Sequence, residues 1–229
     1  MADLIPRDDD DAARDYLDLA AIFTSAIPVL GGAVSNVLGG WSQNRRFQRI
    51  REVLEQLDRS LRQVRESIRE DYIRSDEFED LLDQTLRRVA AERHEAKRRL
   101  YAAFLAGAVT NPGEPYHEKL RILRTLEELQ PDHIRIIRTL LQAPPSDVMS
   151  GSTGSILDTL TRRLQGMTRD RIIDLVSQLS DELRLIDTDK RRLQTIMTAH
   201  GAADLRGLFT PYGRRLVAYI RAADGGNTR

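Results

Sequence analysis

The strongest constraint on this chain is a heptad seam. Phe47, Ile50, Leu54, Leu57, Leu61, Val64 and Ile68 step alternately by three and four residues, with arginine and glutamate elsewhere. That spacing lays apolar side chains along one stripe of an α-helix and demands a second surface to cover them. Read backwards, the register passes through Asn44 and Gly40 to Val37, Ala33 and Leu30. The pattern predicts one helix from about Val29 to about Ile73, roughly 65 Å long at the rise of an α-helix.

The upper part of this register lies in an uncharged stretch, Leu19–Asn44, in a protein that is 31% charged. Within it Gly31, Ser35 and Gly39 recur every fourth residue, as do Gly32, Asn36 and Gly40. Small residues at that spacing share a helix face and let another backbone approach closely. Bare glycine in a helix costs about 1 kcal/mol against alanine, so the repeats point to a contact that needs them. The stretch is long enough to span a bilayer as a helix. Acids precede it, and Arg45, Arg46, Arg49 and Arg51 follow it. Pro28 divides it, and its glycines dilute its hydrophobicity. Gly31, Gly32, Ser35, Gly39, Gly40 and Trp41 are therefore the candidate membrane or self-association residues. The expected partner is another protein or a second copy of the chain, with a membrane reached on activation.

The rest of the chain reads as further helices. Residues 1–11 form an acidic tail that ends in four aspartates, ahead of a short helix over about 12–26. Ser75 is the expected N-cap of a helix carrying Phe78, Leu82, Leu86, Val89, Leu100, Phe104 and Leu105, folded back on the seam. Asn111-Pro112-Gly113 stops it. A helix over about 115–129 follows, then another that opens at Pro131 and ends before Pro144. Residues 146–155 are rich in Ser, Gly and Asp, as in a loop.

The final third changes texture. A short helix from Ile156 precedes a longer one capped by Thr168, and an extended run, Leu183–Ile186, comes next. A polar stretch leads to Leu205–Phe209, and Thr210-Pro211-Tyr212-Gly213 opens a last helix. The segment "DELRLID … LRGLFTPYGRRLVAYI" resembles the wing and last helix of a winged helix-turn-helix. The expected fold is mainly α. An antiparallel helical bundle over 12–143 is joined by a linker, 144–155, to a winged-helix-like domain over 156–222, with a short tail, 223–229.

Composition excludes several kinds of chemistry. The 35 basic and 35 acidic residues balance, so no global field selects nucleic acid or an anionic membrane. The absence of cysteine removes disulfides, thiolate metal sites and cysteine nucleophiles. That lack fits the expected cytoplasmic location, and seven acids before residue 19 argue against a signal peptide. His94, His117, His133 and His200 have no second histidine at helical ligand spacing. Gly151-Ser152-Thr153-Gly154-Ser155 lacks the lysine of a phosphate loop. The expectation is no enzyme, no metal and no cofactor.

A winged helix invites a nucleic-acid reading, with Arg162, Arg163, Arg169 and Arg171 as the contacts. Against it, Asp170, Asp174, Asp181 and Glu182 lie on the same helix and would oppose phosphates. The order of elements also resembles another family. An uncharged Gly-rich segment and a long Arg/Glu helix lead to "SDEFEDLLDQTLRR", "LEELQPDHIRII" and the C-terminal "LFTPYGRRLVAYI". This is similar to the bacterial abortive-infection alpha type proteins. The resemblance implies a bacterial, non-enzymatic helical effector connected with phage defence, acting in the cytoplasm or on the membrane once triggered.

Overall fold

The computed structural model describes residues 45–63, 69–142, 153–198 and 205–221, and these are mainly helical. The helix expected over 12–26, the upper part of the seam, and all six candidate membrane or self-association residues lie outside the described residues. The described chain forms two compact units. One comprises the residues up to Glu127 together with those from Ala218 onward; the other is Glu128–Val217.

In the first unit, α1 (Arg45–Gln63) carries the middle of the seam, while Val64 and Ile68 lie outside the described residues. Ile50, Leu54, Leu57 and Leu61 are fully buried, as the heptad spacing requires. They are covered by α3 (Asp76–Ala91) and α4 (Glu95–Thr110), which both pack on α1. A short helix, α2 (Glu70–Ile73), precedes α3, and α5 (Tyr116–Glu128) follows α4. Ser75 caps α3 as expected, its hydroxyl accepting from the Phe78 N–H, with Asp76, Glu77 and Glu79 in the first turn.

Two departures from the expected helices have local causes. The single helix predicted to Ile73 is interrupted, because Arg69 is extended (φ −102°, ψ 96°) and α2 starts afresh with Glu70 and Asp71 in its first turn. Acids there favour a new helix start. The single helix predicted from Ser75 is likewise two. The chain breaks at Glu92, which is extended (φ −78°, ψ 123°), and resumes after His94. Every residue of α4 from Leu100 to Val109 is buried. A helix apolar all round must be wrapped by its neighbours, and the break lets α4 leave the line of α3 to be so wrapped. Part of the wrapping comes from the far end of the sequence: Tyr219 stacks on Phe104, ring centroids 5.9 Å apart. Only glycine fits opposite it, since a Cβ on Gly107 would lie 2.7 Å from the Tyr219 ring.

The second unit begins with α6 (Pro131–Leu141) and continues through a two-residue strand, β1 (Thr153–Gly154), to α7 (Ile156–Arg163). Next come α8 (Arg169–Ser177), a π-helical turn over Gln178–Glu182, and α9 (Lys190–Gln194). A second two-residue strand, β2 (Met197–Thr198), pairs antiparallel with β1. A 3-10 turn over Arg206–Leu208 leads into α10 (Pro211–Arg221), whose last turn, from Ala218, groups with the first unit.

The boundary expected near residue 143 falls instead before α6. That helix packs on α7, α8 and the 3-10 turn, so its apolar stripe belongs to the C-terminal core. The runs expected to be extended, Leu183–Ile186 and Leu205–Phe209, meet at one antiparallel bridge, Ile186 to Phe209. Arg206–Leu208 curls into a 3-10 turn that buries Leu205 and Leu208 together. Ser155, read as the end of a linker, is the N-cap of α7 in a capping box with Asp158. Gly213 sits so close to the backbone at Leu185 that a Cβ would lie 1.9 Å from its carbonyl oxygen.

Candidate functional site

The four arginines offered for nucleic acid occupy the second unit, and three of them answer to its own groups. Thr168 caps α8 by accepting from the Arg171 N–H, which places Arg169 and Arg171 in the first turn. There Arg169 donates to Asp158 of α7 at 2.7 Å. Arg171 reaches Gln130 Oε1 at 3.3 Å and Asp132 at 3.4 Å, both at the start of α6. The Ser155 hydroxyl and the Arg169 guanidinium hold the Asp158 carboxyl below the usual carboxylate range.

Arg163 points the other way. Its Nη1 approaches the Thr139 carbonyl at 3.5 Å, and Nη2 is buried without a partner. Burial, then the neighbouring Arg162 charge, lowers its pKa from the ordinary arginine value. Arg206 donates to the Leu141 carbonyl at 3.1 Å. Two cations thus sit at the C-terminal end of α6, where the last carbonyls lack helical partners and the dipole is negative. Arg162 is exposed. The structure therefore divides the set: Arg169 and Arg171 serve the N-terminal ends of helices, Arg163 serves a C-terminal end, and Arg162 faces solvent.

Two buried polar clusters went unnoticed in the sequence. In the first unit the Lys119 side chain is fully buried. Its ammonium donates to Glu77 Oε1 at 2.8 Å, the Tyr72 hydroxyl at 2.9 Å and the Pro112 carbonyl at 3.1 Å. The three donors of the ammonium are then all used, and it also lies 4.1 Å from the Tyr72 ring centroid. The Tyr72 hydroxyl donates in turn to Glu77. Burial first, and that hydrogen bond second, push its pKa far above the ordinary phenol value. Nearby, Tyr116 hydrogen-bonds Asp80. Beside the break, Lys97 pairs with Glu92 at 3.1 Å. Burial opposes ionisation of Glu92, but the His94 N–H and Lys97 outweigh it and hold the carboxyl low. These groups tie α2, α3, α4 and α5 to one another.

In the second unit the buried group is His133, only 2% exposed. Its Nδ1 accepts from the Gln130 N–H at 3.1 Å and its Nε2 lies 2.8 Å from Gln178 Oε1. A backbone N–H can only donate, so Nδ1 carries the lone pair and Nε2 the proton. A surface groove of about 480 Å³ in the same unit is lined by Arg184, Ile186, Asp187, Phe209 and Arg214 among others. Arg184 there adopts a left-handed backbone, φ 53°.

Among the described residues, no group of three or more His, Asp or Glu is placed to hold a metal ion, and no helix is long and apolar enough to cross a membrane. No protein-family model, curated protein or solved structure matches the chain.

Proposed function

We propose that this is a non-enzymatic interaction protein of the effector kind, brought to a partner or a membrane by the uncharged segment Leu19–Asn44 once triggered. The observation that carries the reading is the burial of the α1 seam. Ile50, Leu54, Leu57 and Leu61 are fully covered within the first unit, so that stripe is already satisfied by the chain itself. Upstream in the sequence, Gly31, Ser35 and Gly39 repeat on a face separate from the seam register, and small residues at that spacing suit close contact with another backbone. The resemblance to abortive-infection alpha type proteins agrees with this reading.

The test is co-flotation of the full chain with vesicles of neutral or anionic lipid, read together with dye leakage and with light scattering in solution. Binding, leakage or a defined oligomer that is lost in the double variant Gly31→Leu, Gly39→Leu supports the proposal. A wild-type chain that stays monomeric and ignores both vesicle types overturns it.

One observation favours a second reading. In the second unit a helix, a strand, three helices, a second strand paired with the first and a 3-10 turn lead to the last helix, an order that shares its helices and short strand pair with a winged helix-turn-helix, which is a DNA-binding arrangement in many settings. Opposing it, Arg169 and Arg171 are matched with Asp158 and Asp132. Such exposed pairs are weak, about 0–1 kcal/mol each, and phosphates could replace them, but the displaced aspartates would remain beside the phosphates. A salt-sensitive shift of duplex DNA at low salt, weakened in Arg169→Ala with Arg171→Ala, would establish this reading in place of the first.

A further inference from the structure

We infer that His133 is an acid-released latch, holding the start of α6 to α8 and its π-helical end at neutral pH and letting go when its ring is protonated. The latch lies wholly within the second unit and does not involve Leu19–Asn44.

The geometry is specific about protons. Both ring nitrogens are occupied, one by a donor and one by an acceptor. Only the neutral ring with its proton on Nε2 satisfies both, because the backbone N–H of Gln130 offers no lone pair. Were the Gln178 amide turned around, both partners would be donors, which a neutral imidazole with one proton of its own cannot satisfy. Adding a proton to Nδ1 sets it against the Gln130 N–H, and the capping box at the start of α6 loses one of its two bonds. The ring is too deeply buried for water to take over.

Charges around the ring act in both directions. Arg171, on α8, disfavours a second cation; Glu182, in the π-helical turn, and Asp132, on α6 itself, favour one. From α7 and the 3-10 turn, Arg163 and Arg206 reach only the far end of α6, at Thr139 and Leu141. Burial is the largest influence and leaves the ring less basic than an ordinary histidine. The closed state therefore binds fewer protons than the open one as pH falls from about 6.5 towards the lowered value of the buried ring. Closure is complete above about pH 6.5 and is lost as pH falls below it. The same contacts carry Arg171, which bonds Gln130 and Asp132, so release at His133 also frees that guanidinium. The π-helical turn is a natural place for such a hinge, since single π turns inside helices often mark functional sites.

The experiment is hydrogen exchange by mass spectrometry on the full chain from pH 7.5 to pH 5, corrected for intrinsic exchange rates. Peptides covering residues 128–142 and 169–186 should lose protection below pH 6.5, by up to about tenfold per pH unit for one linked proton. Peptides covering residues 76–110 should hold theirs. The slope should vanish in His133→Gln. Should that variant fail to fold, His133→Asn serves instead: its side-chain amide does not titrate and offers the Gln130 N–H an oxygen acceptor, so the slope should vanish there too. Protection independent of pH in the wild type, or an undiminished slope in either folded variant, overturns the latch.

Discussion

Among the described residues, the most deeply buried titratable side chain of the first unit is Lys119, and that of the second is His133. Lys119 keeps its charge company: a carboxylate, a phenol and a carbonyl surround one ammonium. His133 is buried without charge, between a backbone donor and a side-chain amide. The surroundings explain the contrast. The first unit is built mainly on helices of 13–19 residues with long apolar faces, so it can bury an ammonium whose carboxylate partner stays partly exposed. The second is made of helices of 5–11 residues. It depends on caps at their ends: Gln130 for α6, Ser155 for α7, Thr168 for α8 and Asp189 for α9. Short helices offer many ends and little face, so hydrogen bonds at ends replace apolar area.

Substitutions ranked by size sharpen this contrast. Leu57→Ala empties space under the seam and should destabilise the first unit by about 2–5 kcal/mol; urea unfolding that matches the wild type would show the stripe is not core. Lys119→Ala leaves Glu77, Tyr72 and Pro112 without their donor and should cost about 3 kcal/mol, the low end for a broken buried pair because Glu77 is 34% exposed. Lys119→Met, which keeps the stem, should recover part of that loss, and thermal melts of the two variants compare them. Gly213→Ala drives a methyl into the Leu185 carbonyl and should cost about 1–3 kcal/mol, read as faster hydrogen exchange in residues 183–187 and 210–217. Ser155→Ala removes the α7 cap for about 1 kcal/mol, with lost protection confined to residues 155–160. Arg169→Ala breaks an exposed pair and should change stability by less than about 1 kcal/mol. A larger loss would mean that the second unit leans on surface charge as heavily as on its caps.

Much of the first unit was legible because long periodicity is a strong signal. The seam, the Ser75 cap and the stop at Asn111 all read directly from residue order. The break at Glu92–His94 was not legible, since a charged run there looks like the solvated face of one continuous helix. Only the burial of α4 on every side decides it. The two buried polar groups did leave a trace. Lys119 stands three and four residues before Ile122 and Leu123, and His133 stands in the same relation to Ile136 and Ile137. Each therefore occupies an apolar stripe where a polar residue needs a partner. Their partners, Glu77 and Gln178, lie 42 and 45 positions away in sequence, and no local pattern links them. The arginine pairs were hidden for the same reason: Asp158 and Asp132 belong to other helices than the arginines they hold.

The stacking of Tyr219 on Phe104 bears on how this protein is made. A ribosome delivers α1 through α5 first, then the whole second unit, and only afterwards the turn that carries Tyr219. Until then Phe104 and Gly107 lack the ring that packs on them, so this contact of the first unit is made last although the unit is synthesised first. Chains that stop short of residue 218 should leave both residues bare, offering chaperones and proteases an apolar target that the finished protein conceals.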